Sequence, residues 1–262
     1  MSAEKMRNTD LELGELLSRA YRARAAARFL AYPEPDEEEA LEKTLIGLEA
    51  QGALLADDSE RKAISDFVSR WRHAGAEVLR AEYARLFLGP TRCSLYSATY
   101  GSGGNLAGPA AGIADVSGFY QAFGVDIREE QPERPDHLAA ELEFYSSLLV
   151  RLAYATHNQW NEAAVVTGDA ARSFLRDHLG RWSGVVSRRL EQLDSIEAYR
   201  ALANWLDVML REEATRLDVD VESYGIPDWS TQAGAEPMHC PRDDDAEASP
   251  AQPIRFRRSV QR

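Results

Sequence analysis

The stretch Asp136-His137-Leu138-Ala139-Ala140-Glu141-Leu142-Glu143-Phe144-Tyr145-Ser146-Ser147-Leu148-Leu149 decides the fold class. In it and its continuation, Leu138, Leu142, Tyr145, Leu149 and Leu152 recur at spacings of 4, 3, 4 and 3. That period puts five apolar side chains on one helical face and does not fit the two-residue alternation of a half-buried strand. The segment reads as a long helix opening at Asp136, behind a loop over 129–135. Further helices are expected over 161–180 and 182–193. A last one follows Asp194, where Asp194 and Glu197 have the spacing of a capping box. Beyond them Ile196, Tyr199, Ala203, Leu206 and Leu210 repeat at 3, 4, 3 and 4.

Upstream the same period continues. Leu13, Leu17, Ala20, Ala27 and Leu30 trace a first helix that stops at Tyr32-Pro33. An acidic helix is expected over 36–51. One continuous helix is expected over 59–88, with Ile64, Phe67, Val68, Trp71, Val78, Leu79, Tyr83 and Leu86 as its apolar stripe. A hinge-like connection over about 89–109 contains Gly101, Gly103 and Gly104, and a short helix over 110–123 follows it. Nothing before Ile226 alternates like a strand, so the expected fold is all-α, a single multi-helix domain over 1–226. From 227 the chain turns to Pro, Asp, Ala, Ser and Gln and ends on basic residues at Arg255, Arg257 and Arg258. A disordered tail over 227–262 is expected from that composition.

The 262 residues suffice for a substantial core, and 44% hydrophobic with 28% charged residues is the balance of a soluble globular protein. No run approaches the ~20 apolar residues that span a bilayer. Met1 to Asp10 lacks the apolar core of a secretory signal. Cys93 and Cys240 are too far apart to suggest a disulfide framework or a metal site, and a cytoplasmic location is expected. His239-Cys240 offers two adjacent ligands, which do not make a metal site. The net charge is −13, of which the first 226 residues carry −12. A field of that sign opposes nucleic acid and anionic membrane and favours cationic partners. There is no GxxxxGK[ST], HExxH or GxGxxG motif, and the Gly-rich segment 101–105 follows no strand and lacks a lysine, so no cofactor, catalytic residue or metal is expected. Asp136 and His137 as an acid–base pair would be neighbours pointing in different directions, with no nucleophile beside them.

Two segments carry more specific information. Glu82-Tyr83-Ala84-Arg85-Leu86-Phe87-Leu88-Gly89-Pro90 ends a helix and enters the Gly-rich connection. Glu133-Arg134-Pro135-Asp136-His137-Leu138 opens the long helix. In this order, in an acidic helical chain, they resemble the TorD/DmsD/NarJ family of redox-enzyme maturation chaperones, over roughly 11–217. That family has an aromatic-x-x-Leu-Phe-x-Gly-Pro helix end followed by a Glu-x-x-Asp-His element. Thr91, where many members place a small residue or glycine, departs from the pattern.

The resemblance implies a chaperone, not an enzyme. Its partner would be the twin-arginine signal peptide, or related N-terminal segment, of a molybdopterin-dependent oxidoreductase subunit, held back from export until the cofactor is inserted. A transient contact with the molybdenum cofactor and a domain-swapped homodimer hinged at the Gly-rich connection belong to the same expectation. A peptide joining two arginines to an apolar run needs an apolar groove rimmed by carboxylates. The peptide-binding residues so implied are Asp136, His137, Glu133, Glu141, Tyr83, Leu86 and Phe87. Each also has a plain structural reading. Asp136 is placed to be a helix N-cap, His137 to bridge loop and helix, Glu133 and Glu141 to be solvated charges, and Tyr83, Leu86 and Phe87 to be core. The rival to the chaperone reading is a helical assembly or scaffold protein without a peptide groove.

Overall fold

The computed structural model describes residues 3–88, 92–100, 108–126 and 134–225, together with 257–258. Among them the helices are α1 (Ala3–Phe29), α2 (Glu38–Leu54), α3 (Asp58–Ala74), α4 (Ala76–Phe87), α5 (Gly108–Ala122), α6 (Leu138–His157), α7 (Asn161–Asp177), α8 (Ser183–Gln192) and α9 (Glu197–Leu217). The all-α expectation holds. The extended residues described are two short antiparallel strands, β1 (Val125–Asp126) and β2 (Arg257–Arg258). The remainder of the tail expected to be disordered lies outside the described residues, as do 89–91 and 101–107 of the Gly-rich connection.

α1 packs chiefly on α6 and α6 on α7, while α3 packs on α9 and α2 on α3. Aromatic rings fill the second junction. Phe29 meets Phe67 and Trp71 edge-on at 5.0 and 4.9 Å between centroids, and Phe67 stacks on Trp205 at 5.2 Å. The two regions are joined through a buried ion pair. Arg19 of α1 donates through Nε and a terminal nitrogen to Glu213 of α9, at 2.7–3.0 Å, and Tyr145 of α6 donates its hydroxyl to Glu213 at 2.6 Å. Burial alone would push the Glu213 carboxyl up, but the Arg19 charge and the donors from Arg19 and Tyr145 hold it below the usual range.

Three expectations about helix boundaries are corrected. The helix expected over 59–88 breaks at Gly75, whose φ of 76° and ψ of 151° no residue with a Cβ adopts easily. The apolar period runs across the break because α3 and α4 both face the core, although Val78 is half exposed, as is Leu17 of α1. The long helix begins at Leu138, and its N-cap is His137 rather than Asp136.

The third correction concerns α9, whose capping box does not form. Its N-cap is Ile196, and Asp194 lies at a φ of 50° with its side chain in solvent. A carboxylate from another helix takes that place. Glu82 of α4 accepts the Ile196 N–H at 3.0 Å while Arg85 donates to both its oxygens at 2.6 and 2.7 Å. Those Arg85 bonds, outweighing burial and aided by the Ile196 N–H, hold the Glu82 carboxyl below its ordinary value. A negative charge is favourable at a helix N-terminus, so α4 caps α9 across 114 residues of sequence.

The packed body continues past α9. A Cβ on Gly180 would lie 2.6 Å from the Leu175 carbonyl oxygen, a clash with backbone, and 3.0 Å from the Val221 side chain, which packs against this turn. Tyr224 N–H donates to the Arg181 carbonyl at 3.0 Å, and the Arg181 guanidinium sits 4.4 Å over the Tyr224 ring. No helix among the described residues is long and apolar enough to cross a membrane.

Candidate functional site

The two motif segments meet through residues 92–100. At the end of α4 the Leu86 carbonyl accepts the N–H groups of Arg92 and Cys93 at 3.2 and 3.0 Å, which closes the helix and turns the chain back. The returning chain then runs along the entry to α6. Leu138 N–H donates to the Leu95 carbonyl at 2.8 Å, Ser97 N–H donates to the Asp136 carbonyl at 3.0 Å, and Tyr96 and His137 form an isolated antiparallel bridge. This part of the connection expected to act as a hinge is therefore tied at both ends.

Asp136 is the centre of that tie. Its Oδ2 accepts the Ala98 N–H at 3.1 Å, and Arg134 donates to both carboxylate oxygens at 2.9 and 2.8 Å. The Asp136 side chain is fully buried, whereas Arg134 is half exposed and lies 4.7 Å over the Tyr96 ring. His137 accepts the Ala139 N–H through Nδ1 at 3.1 Å, so that nitrogen carries the lone pair, and its ring meets Tyr96 edge-on at 5.1 Å. Tyr120 of α5 donates to the Pro135 carbonyl at 2.8 Å, fastening α5 to the same turn.

One turn into α6 lies Glu141, also fully buried. Trp182 donates its indole N–H to Glu141 Oε2 at 3.0 Å, while Oε1 has no hydrogen-bond partner among the described residues. Burial pushes the Glu141 carboxyl well above the usual range. The Trp182 donor opposes that shift and the Asp136 charge adds to it. Tyr100 packs edge-on against Trp182 at 5.6 Å and donates to the Ser94 carbonyl at 2.7 Å. Burial pushes the Cys93 thiol beside it up to about 12, which makes it a small apolar filler and not a nucleophile.

Tyr83, Leu86 and Phe87 occupy a different part of the interior. Tyr83 donates to the Leu30 carbonyl at 3.1 Å and meets Phe87 at 4.8 Å between centroids, and Phe87 in turn meets Tyr199 of α9 at 5.7 Å. Leu86 links this region to the 92–100 segment through its carbonyl, which accepts the Arg92 and Cys93 N–H groups. Glu133 lies outside the described residues. The other six expected peptide-binding residues are all buried, so the expectation that Glu141 is a solvated charge is corrected. Sequence reasoning missed Trp182, Tyr100 and Tyr120. Nothing in a linear reading signals a partner 41 residues from Glu141. Arg134, which holds Asp136, stood inside the motif and could have been found from its charge. Exposed apolar surface lies about 20 Å further along α6, at 1.5 Å per residue. There Tyr154 and Trp160, both more than half exposed, meet edge-on at 5.4 Å. Among the described residues no three His, Cys, Asp or Glu side chains converge as metal ligands would.

A family model described as nitrate reductase delta subunit matches residues 53–188, a span that contains the end of α4, the 92–100 segment and all of α6. The chain is 33% identical over 127 residues to the chlorate reductase assembly chaperone protein of Ideonella dechloratans, covering 47% of this chain and 63% of that one. It is 32% identical over 152 residues to the selenate reductase assembly chaperone protein of Thauera selenatis, covering 57% and 75%. It is also 29% identical over 143 residues to the chaperone protein TorD of Vibrio cholerae serotype O1, covering 53% and 62%. Against the first and third of these relatives the chain spans less than two thirds of their length.

Proposed function

The chain belongs to the nitrate reductase delta subunit family, and on that premise we propose that it is an assembly chaperone for a molybdopterin-dependent oxidoreductase subunit. It acts in the cytoplasm by binding the N-terminal, twin-arginine-type peptide of that subunit, assists cofactor insertion and delays export until the subunit is mature. The observation that carries this reading is the family match over 53–188, which includes both motif segments. The names of the relatives, assembly chaperones for chlorate and selenate reductases, support it.

Recognition works at two levels. Glu133 supplies a carboxylate for a peptide arginine, whose planar guanidinium pairs with carboxylates in bidentate geometry. Asp136, His137 and Glu141 hold residues 92–100 against α6, and Tyr83, Leu86 and Phe87 hold the end of α4, so that the surface above them keeps one shape. Transient contact with the molybdenum cofactor and a domain-swapped dimer are further parts of the same proposal.

Calorimetric titration of the full chain with a client N-terminal peptide is the test. Saturable binding is expected, and replacing both arginines of the peptide by alanine should weaken it by more than tenfold, about 1.5–3 kcal/mol for lost charge-assisted contacts. Equal affinity for both peptides would remove arginine recognition. The burial of all six described residues favours a second reading, an assembly protein that holds its client by another face such as that around Tyr154 and Trp160. Retention of a folded client subunit with no binding of its isolated peptide would establish that alternative.

A further inference from the structure

Past α9 the chain turns left-handed at Asp218, and Val219 N–H donates to the Ala214 carbonyl at 3.0 Å. Val219, Val221 and Tyr224 are then half-buried, while Asp220, Glu222 and Ser223 are exposed. Arg181, in the turn before α8, fixes this segment at two points. Its carbonyl accepts the Tyr224 N–H at 3.0 Å, and its Nε donates to the Glu222 carbonyl at 2.8 Å. Its guanidinium lies 4.4 Å over the Tyr224 ring, and that ring meets Trp182 edge-on at 6.3 Å. The Tyr224 hydroxyl is hydrogen-bonded to the Ser97 side chain, and burial together with the nearby Glu141 carboxyl pushes the phenol up to about 12. Ser97 is the residue whose N–H donates to the Asp136 carbonyl, so Tyr224 holds the tie between the 92–100 segment and α6. Through Trp182 it also covers Glu141, which is fully buried with Oε1 unpartnered among the described residues. A carboxyl in that state stays neutral while water is kept from it.

We infer that residues 219–225 form a strap whose latch, Tyr224, locks the 92–100 segment onto α6 and keeps water from Glu141, which makes Tyr224 a positioning residue for the client-binding surface. The inference rests on the client-peptide reading proposed above and deepens it by naming a residue that holds that surface in one shape. A strap fastened by a few hydrogen bonds and one ring opens more readily than the helical body it lies on. While it is closed, the 92–100 segment is ordered before the client arrives, and binding does not bear the cost of ordering it. When it opens, Ser97 loses a partner and water reaches the one buried carboxyl of α6. The titratable groups that face that carboxyl among the described residues are Asp136 at the entry to α6, Tyr120 of α5 and Tyr224 itself.

The test compares the full chain with full-length Tyr224→Ala and Tyr224→Phe. Hydrogen exchange at the Ser97 and Leu138 amides, which donate to the Asp136 and Leu95 carbonyls, should be about tenfold faster in Tyr224→Ala. The Phe67 and Val68 amides of α3 should keep their wild-type rates. Tyr224→Phe keeps the ring and loses only the Ser97 bond, so its rates should fall between the two, and it carries the test if Tyr224→Ala does not fold. A synthetic peptide with an Arg-Arg pair followed by an apolar run, titrated by calorimetry, should bind Tyr224→Ala about three- to tenfold more weakly. The stability gap between the chain and Glu141→Gln, which widens as pH rises, should widen less in the Tyr224→Ala background, because water lets Glu141 ionise in the fold. Equal acceleration at all of these amides would show that Tyr224 supports the body as a whole without latching the segment, and the inference would fall. Faster exchange with unchanged probe affinity, or a Glu141 gap that widens equally in both backgrounds, would overturn it as well. A wild-type chain that binds no arginine-pair probe would instead defeat the client reading, with exchange and the Glu141 gap still deciding whether Tyr224 is a latch.

Discussion

At Asp136 the backbone carbonyl and the side chain hold two successive N–H groups of the 92–100 segment, from Ser97 and Ala98. Asp136→Asn would keep an oxygen for Ala98 but would turn an amide group toward Arg134, breaking the bidentate pair. The expected loss is about 1.5–3 kcal/mol of folding stability, read by urea unfolding. A wild-type midpoint would show that the pair with Arg134 contributes nothing. Next to it, His137→Ala should cost about 1 kcal/mol as a lost N-cap, with His137→Asn restoring most of it. Glu141 makes a prediction of opposite sign. Its raised carboxyl pKa means that the folded chain favours the neutral acid, so its contribution is fully present below the ordinary carboxylate range. As pH rises the unfolded chain ionises first, and stability is lost until pH passes the raised value. Glu141→Gln does not titrate, so its stability relative to wild type should grow as pH rises through and above the ordinary carboxylate range. Parallel melting curves across that range would mean that Glu141 ionises in the fold as freely as outside it.

Helices here are fixed to one another by a few buried polar groups set into apolar contacts. Arg19, Tyr145 and Glu213 belong to α1, α6 and α9, and each group in the trio satisfies another. Removing Arg19 leaves the buried Glu213 carboxylate with only Tyr145 and the Arg216 guanidinium at 3.2 Å, and breaking a buried ion pair costs up to about 3–5 kcal/mol. Arg19→Met alone is expected to destabilise by that amount in denaturant unfolding. The double variant Arg19→Met, Glu213→Leu should recover most of the loss, because the buried carboxylate that has lost its main partner is gone as well. Equal destabilisation by the single and double variants would mean that the helices depend on the ion pair itself. Glu213 also acts oppositely to Glu141 with pH. Its depressed pKa gives stability that is present above the ordinary carboxylate range and is lost as pH falls through the folded value.

For the whole molecule the net charge of −13 sets the field that the proposed client peptide would meet. Exposed arginine–carboxylate pairs contribute up to about 1 kcal/mol each and are screened beyond ~8 Å at physiological ionic strength. Affinity for a twin-arginine peptide should therefore fall with added salt by at most about thirtyfold, the equivalent of about 2 kcal/mol for two arginines. The apolar contribution should survive. Titrations at low and high sodium chloride that give one affinity would remove the charge from recognition.

The sequence by itself determined the helical class, because the 3.6-residue period of positions such as Leu138, Leu142, Tyr145 and Leu149 is a local property of the chain. It also determined the family, since both motifs are contiguous runs. Boundaries were less legible. The apolar stripe continues across Gly75, and only the backbone angle there shows the break. Asp194 and Glu197 have capping-box spacing, yet Glu82 of α4 does the capping, because the chain turns left-handed at Asp194 and brings Ile196 to a distant carboxylate. The candidate site was legible as a list of residues but not as an arrangement. That Asp136 and Glu141 are buried, that Trp182 and Arg134 hold them, and that an arginine pair at 257–258 lies beside Val125–Asp126 were decided by tertiary structure alone. The physical reason is that burial and pairing of a charge depend on which distant segments exclude water from it, and no local period encodes that.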